Sequence, residues 1–376
     1  MILSQKNFQT YSKDLNMEIL ILDEFDGRVM TELLKDDTSY LSDLDGFTLY
    51  PDTVSKYNFS DCSVVQIMTG KDFIHQTDYN EFLNEAYKSS YLFNRLNAEY
   101  SINAYEDIEQ LPPEMMETLF DNYVKVDMKI SSNRTLMKYM YKLVGCKYLP
   151  FYFRQYCWFA SDDLDQLKYV EAVDEKSEYG DRDITETPCT AANTKFFVSI
   201  QDMELVDEKM FHLHHLRGLH KPRTHDSNMM DTQDADIMEC ARGVMLLLDT
   251  WINELKDKGV YDNHIIIIMA DHGTQIDPSE TFRSSNALFM VKGYDEHHEL
   301  HISDKKVSYD ELDEIYGNLL DGKKSDESVK GLRESENRIF YKGIDGYYEN
   351  GDLVEYVVPK TASDVKSIYE TGIVYK

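Results

Sequence analysis

The sequence predicts an α/β fold: a central, largely parallel sheet covered by helices on both faces, with a small β subdomain at the C-terminus. Three observations carry this prediction. The run "IIIIM", Ile265 to Met269, is continuously apolar and rich in β-branched residues, as a strand buried on both faces requires. The best helical pattern in the chain leads into it: from about Asp234 to Lys258, Ile237, Ala241, Val244, Leu248, Trp251 and Leu255 recur three or four residues apart, and Gly259 stops the pattern. A helix delivering a buried strand is half of a βαβ unit. Near the start, Ile19 to Leu22 form a second short apolar strand that ends at Asp23, and "GRVMTELLKDD" follows with helical spacing.

The remaining elements follow in order. A helix is expected from about Asp61 to Met68, with Ser60 at its N-cap and Gly70 ending it. Asn80 to Leu96 and Pro113 to Val144 read as amphipathic helices, with Pro112-Pro113 as a break between elements. "TKFFVSI", Thr194 to Ile200, reads as a buried strand and "FHLHHLRGLHKPRTHD" as a histidine-rich loop. After Asp321 the chain turns polar and linker-like, and then "RIFYKG", "LVEYVVP" and "GIVYK" have the composition of short strands. The expected organisation is an N-terminal arm over 1–16, a catalytic domain over 17–325 and the β subdomain over 326–376.

Composition narrows the function. With 376 residues, 42% of them hydrophobic, the chain can bury a large core. Its net charge of -30, from 69 acids spread along the sequence against 39 bases, leaves no basic stripe for a phosphate backbone, so nucleic acid is not an expected partner. Cys62, Cys146, Cys157, Cys189 and Cys240 are far apart and form neither a CxxC pair nor a zinc-ligand spacing. There is no run of eighteen apolar residues and no signal-peptide pattern, so membrane association is expected only through a segment absent from this chain.

The chemistry is expected outside the carboxyl ends of the parallel strands. Asp23 and the pair Asp271-His272 occupy two such ends, and two carboxylates with an imidazole make a ligand set suited to Mn, Zn or Mg. A local reading competes, in which Asp271 caps a turn and His272 packs. Ser60, at a helix N-terminus, lies where unpaired N–H groups favour an anion, although such a serine also serves as a plain cap.

Taken together, an acid ending the first strand, a hydroxyl nine positions before Thr69-Gly70, the "GLHKP" loop, "GVYDNHIIIIMADHG" and "NALFMVKG" resemble the alkaline phosphatase and sulfatase superfamily, and within it the sulfatase-domain proteins related to lipoteichoic acid synthase. The resemblance runs from about Glu18 to Gly322. It implies Asp23, Ser60, Asp271 and His272 as ligands of one divalent metal, Mn first, with Zn, Mg or Ca as alternatives. It also implies Ser60 as the nucleophile and His220 on the substrate side, where it would hold a phosphate oxygen or protonate a leaving group. His215 is the second choice for that role, and Arg217 and Arg223 are candidate phosphate clamps or surface arginines.

The run Ser60-Asp61-Cys62-Ser63-Val64 lacks the Pro and Arg of formylglycine-type sulfatases, which favours phosphoryl over sulfuryl chemistry. Arg223 stands where relatives often place an aromatic residue. The resemblance implies a phosphotransferase or phosphodiesterase acting on a phosphorylated lipid headgroup, glycan or cell-envelope polymer, as a soluble domain at the extracytoplasmic face of a bacterial membrane, with the cytoplasm as the alternative. A sulfuric ester hydrolase and a catalytically silent envelope or glycan binding protein are the alternatives. His297 and His298 read as a solvated turn, with a second metal site as the rival reading.

Overall fold

The structure is a computed structural model of the whole chain; it describes residues 2–36, 44–97, 99–106, 110–124, 126–130, 133–157, 168–172, 192–277, 280, 283–333, 335–343 and 351–376. Cys189 lies outside them. The chain forms two compact units, one of Met1–Gln5 with Tyr123–Cys189 and one of Lys6–Asn122 with Thr190–Lys376. The boundaries expected after 16 and 325 are not where these units divide. Within the larger unit, Thr10–Ser12 of the expected arm is itself a strand, parallel to Glu204–Val206, with Tyr11 fully buried.

The larger unit is built on a seven-stranded sheet. In chain order its strands are β1 (Asn16–Leu22), β2 (Thr48–Leu49), β3 (Tyr100–Tyr105), β4 (Lys209–Leu216), β5 (His264–Met269), β6 (Phe289–Lys292) and β7 (His301–Ile302). Their spatial order is β7-β2-β6-β5-β1-β4-β3. The four strands β3, β4, β1 and β5 run parallel, and β6 is antiparallel to both its neighbours. Every residue of β1 and of β5 is buried. Covering Ile265 to Ile268 alone stabilises the fold by about 2–3 kcal/mol per side chain relative to exposure.

Helices lie on both faces, as strand alternation shows. On one face Trp251 of the helix Ile237–Asp257 and Phe196 of the helix Asn193–Ser199 meet each other; Trp251 meets His264 and Phe196 meets His214. On the other, Phe93 of the helix Tyr91–Leu96 meets Phe211 of β4. The C-terminal strands Arg338–Gly343, Leu353–Val358 and Tyr369–Tyr375 form an antiparallel sheet, and Phe340, Val358 and Ala362 pack with Val54. The predicted fold class is therefore the observed one.

Four local expectations are corrected. Thr194–Ile200 is not a strand: Asn193, Phe196 and Ile200, at helical spacing, are the buried positions, and that face outweighs the β propensity of the run. The first half of the "histidine-rich loop" is β4, a strand whose inward positions include His212 and His214, so the polar residues hid its alternation. Pro113 to Val144 contains the helix Met116–Leu119, the strands Tyr123–Val124 and Val126–Ile130, and the start of the helix Asn133–Tyr148. The polar stretch after Asp321 is anchored, because Ser325 and Ser328 are fully buried and the Glu296 carboxylate accepts from both N–H and hydroxyl of Ser325.

In the smaller unit Ile2–Leu3 pairs with Tyr123–Val124, and Val126–Ile130 with Lys168–Ala172, both antiparallel.

Candidate active site

Asp23 follows β1, and Asp271-His272 follows β5 by one residue, so adjacent parallel strands deliver all three side chains to one sheet edge. Three contacts hold that edge in place. The Tyr309 hydroxyl donates to the Ala270 carbonyl, the Ser63 hydroxyl donates to the Asp271 carbonyl, and the Leu219 N–H donates to the Asp23 carbonyl at 2.8 Å. Two glycines permit the packing. A Cβ on Gly218, which sits at φ +52, would lie 2.4 Å from the Asp23 carbonyl oxygen, and one on Gly273 would lie 2.5 Å from Asp26 Oδ2.

The three side chains converge. One ligand atom each from Asp23, Asp271 and His272 lies within 4.8 Å of the other two. His272 Nε2 is 3.3 Å from Asp271 Oδ2 and 4.0 Å from Asp23 Oδ1. These same three atoms are buried and accept or donate no hydrogen bond. The second polar atoms of Asp271 and His272 are satisfied: Asp271 Oδ1 accepts from the N–H groups of Glu24 (3.1 Å) and His272 (2.8 Å), and His272 Nδ1 lies 2.8 Å from the Gly273 carbonyl. That last contact assigns the proton to Nδ1 and leaves the Nε2 lone pair facing the carboxylates. Three orphaned buried atoms of oxygen and nitrogen type, aimed at one point, fit a divalent cation.

Ser60 joins them. It is the first residue of the helix Ser60–Thr69, with Phe59 and not Ser60 at the N-cap, so its hydroxyl is free of capping duty, and it is near enough to Asp271 to help hold that carboxyl down. The local reading of Ser60 as a plain cap is thus not what the structure has.

The electrostatics follow from burial. Desolvation first, then the charge of Asp271, raises Asp23 well above the usual carboxylate range. Burial would raise Asp271 too, but His272, His215 and the Ser60 hydroxyl hold it below that range.

His215 and His220 border the site. Burial alone would lower the His215 imidazole, yet Glu106 at 2.7 Å, with Asp23 and Asp271 beyond, carries it up to about 10. His220 is half-exposed, 4.0 Å from Glu24 Oε1, and is lowered chiefly by burial. Arg217 is spent on its own loop, donating to the carbonyls of Lys221 (2.9 Å) and Pro222 (3.2 Å) across a cis peptide bond. Arg223 is buried and donates to the Leu219 carbonyl, so it is neither clamp nor surface residue.

Sequence reasoning missed Glu24, Glu106 and Arg283. Glu24 sits at φ +57, binds Arg283 Nε at 2.9 Å through Oε1 and accepts from the Thr274 hydroxyl through Oε2. Glu24 and Glu106 stand just past the ends of β1 and β3, the rule that had already found Asp23. Arg283 carries no sequence signal. His297 belongs to a different place: its neighbours Asp45, Asp262 and Asp295 gather at the opposite end of β5, about 20 Å away for a six-residue strand.

No family model matches the chain, and no curated protein is significantly similar to it. Solved structures are similar in fold. Ps i-CgsB matches with a TM-score of 0.51 at 13% identity over 92% of this chain and 83% of that one. The phosphonate monoester hydrolase SpPMH from Silicibacter pomeroyi matches with 0.50 at 11% over 95% and 88%. The putative sulfatase yidJ from Bacteroides fragilis matches with 0.50 at 12% over 95% and 88%.

Proposed function

We propose, for a chain with the fold of the alkaline phosphatase and sulfatase superfamily, a metal-dependent phosphotransferase or phosphodiesterase with Ser60 as nucleophile. The observation that carries it is the meeting of Asp23 Oδ1, Asp271 Oδ2 and His272 Nε2, orphaned and buried, beside a serine hydroxyl at a helix N-terminus. Asp23, Asp271, His272 and the Ser60 hydroxyl would hold one divalent cation, Mn first. When bound, it supplies charge neutralisation for a phosphoryl oxygen and acidity for the hydroxyl it touches.

This chain's residues do the rest. Ser60 Oγ forms a bond to phosphorus as the ester P–O bond breaks, and its proton passes to the neighbouring Asp271 carboxylate, which the Ser60 hydroxyl helps hold in its charged form. The first-turn N–H groups of the helix after Ser60 face the same anion. His220, with Glu24 to support its protonated form, gives a proton to the leaving oxygen and takes one from the incoming water or polymer hydroxyl that breaks the seryl ester. His215 and Arg283 set positive charge beside the substrate, Arg283 being held there by its Nε contact with Glu24 at 2.9 Å. The substrate class is a phosphorylated lipid headgroup or envelope polymer.

Fold neighbours described as sulfatases make sulfate ester hydrolysis the second reading. One assay separates them: bis-p-nitrophenyl phosphate and p-nitrophenyl sulfate with saturating Mn. Phosphodiester turnover should dominate and fall at least about 10³-fold in Ser60→Ala. Undiminished turnover in that variant removes the serine mechanism, and a preference for sulfate transfers the site to the second reading.

A further inference from the structure

The smaller unit carries a surface that the catalytic reading leaves unused. The helix Asn133–Tyr148 presents Met137, Met140, Tyr141, Val144 and Tyr148 at three- and four-residue steps, which makes one longitudinal stripe. A helix of a globular unit normally turns such a stripe inward. Here all five are exposed, from 49% to 72%, while Tyr139 is the large side chain it buries. After Pro150 the chain continues through Phe151–Arg154 with Tyr152, Phe153 and Tyr156 exposed by 57–80%. Its Arg154 donates to the Leu149 carbonyl, and Cys157 packs where a Cβ on Gly145 would sit, so the second segment folds back beside the helix.

Charge distinguishes this patch from the rest of the molecule. From Asn133 to Cys157 there are five bases, Arg134, Lys138, Lys142, Lys147 and Arg154, and no acid. The chain's net charge is -30, so the remainder carries -30 minus 5, or -35. Arg134 and Lys138 flank the stripe on one side and Lys147 on the other, and lysine ammonium groups lie 5.1 Å and 5.5 Å from the ring centres of Tyr139 and Tyr148. An apolar stripe with tyrosines at its border and bases along its flanks is the pattern of a helix lying in a bilayer interface.

We propose that this face docks on an anionic phospholipid bilayer. The alternatives fit the charge less well. Two copies face to face would bring ten like charges together, and a nucleic acid offers no use for a Met and Val stripe. The strongly acidic remainder is repelled by the same membrane, which favours approach by this face. No helix among the described residues is long and apolar enough to cross a membrane. The inference does not rest on the catalytic proposal, because binding is read without turnover.

The test is flotation of the full chain with vesicles of phosphatidylcholine alone or with 30% phosphatidylglycerol, a composition on the order of natural anionic membranes, at about 0.1 M salt. Wild type should float with the anionic vesicles at least about tenfold better than with the neutral ones, and Lys138→Glu with Lys142→Glu should lose at least about tenfold. Tyr141→Glu with Val144→Glu should lose binding while leaving circular dichroism and melting temperature unchanged, since both side chains are exposed. The control pair Lys330→Glu with Lys366→Glu, of the same charge change on the larger unit, should stay within about twofold. Failure of wild type to float, equal loss in the control pair, or a concentration-dependent dimer abolished by Tyr141→Glu without vesicle binding would each overturn the proposal.

Discussion

Gly218→Ala tests whether the loop after β4 sets the position of Asp23. The native φ of +52 is costly for any residue with a Cβ, about 1–2 kcal/mol. The new methyl would also lie 2.4 Å from the Asp23 carbonyl oxygen and 2.6 Å from its nitrogen. Ordinary contact is near 3.4 Å, so backbone must yield by about 1 Å, at a further cost of about 1–3 kcal/mol. The atoms that yield belong to Asp23, whose Oδ1 is one of the three orphaned ligand atoms. A displacement of that size should weaken Mn binding by about 10–100-fold. Calorimetric Mn titration and thermal melting read the two effects separately. Gly259→Ala is the control: it also has positive φ, +72, but nothing lies within 4 Å of its Cβ, so it should cost only about 1 kcal/mol and leave Mn affinity unchanged. If Gly218→Ala keeps both its melting temperature and its Mn affinity, the loop does not position Asp23.

Two further outcomes are expected. His212, His214 and His264 are fully buried and all held below the ordinary imidazole value, His212 down to about 3, with Glu18 between the first two at 3.4 and 3.5 Å. Their folded values lie below the unfolded one, so their contribution is present above pH 6.5 and lost as pH falls, while Glu18, raised by burial, offsets one of the three. Stability should drop as pH falls from 6 to 5, and His264→Gln should flatten the slope in urea titrations; an unchanged slope in that variant refutes the assignment. His220→Gln should slow esters with poor leaving groups by about 10²-fold and nitrophenyl esters far less, and an equal loss on both would mean His220 only binds the anion.

How much of this was legible in the sequence depended on whether a residue's environment was local. The strands at Ile19 and Ile265 and the helix before Gly259 announce themselves because burial on both faces, or on one stripe, leaves a periodic trace. Asp23, Asp271 and His272 were readable because strand ends are where parallel sheets place their chemistry. β4 was not, since its inward histidines pair with a buried Glu18 from a strand distant in sequence, and only the register His212 to Glu18 makes that pairing visible. The setting of Arg217 was hidden for a similar reason: its partners are the carbonyls of a loop whose turn no spacing predicts. Arg283 reaches Glu24 across most of the chain, a contact that exists only after folding.

Whether Asp23, Asp271 and His272 hold one divalent cation is decided by Mn titration of the metal-free protein. Wild type should bind one Mn per chain, with a higher melting temperature at saturation, and Asp271→Asn and His272→Ala should each lose that site. Mn binding that survives both substitutions, or a wild-type chain that takes up none, would contradict a cation shared by these three residues.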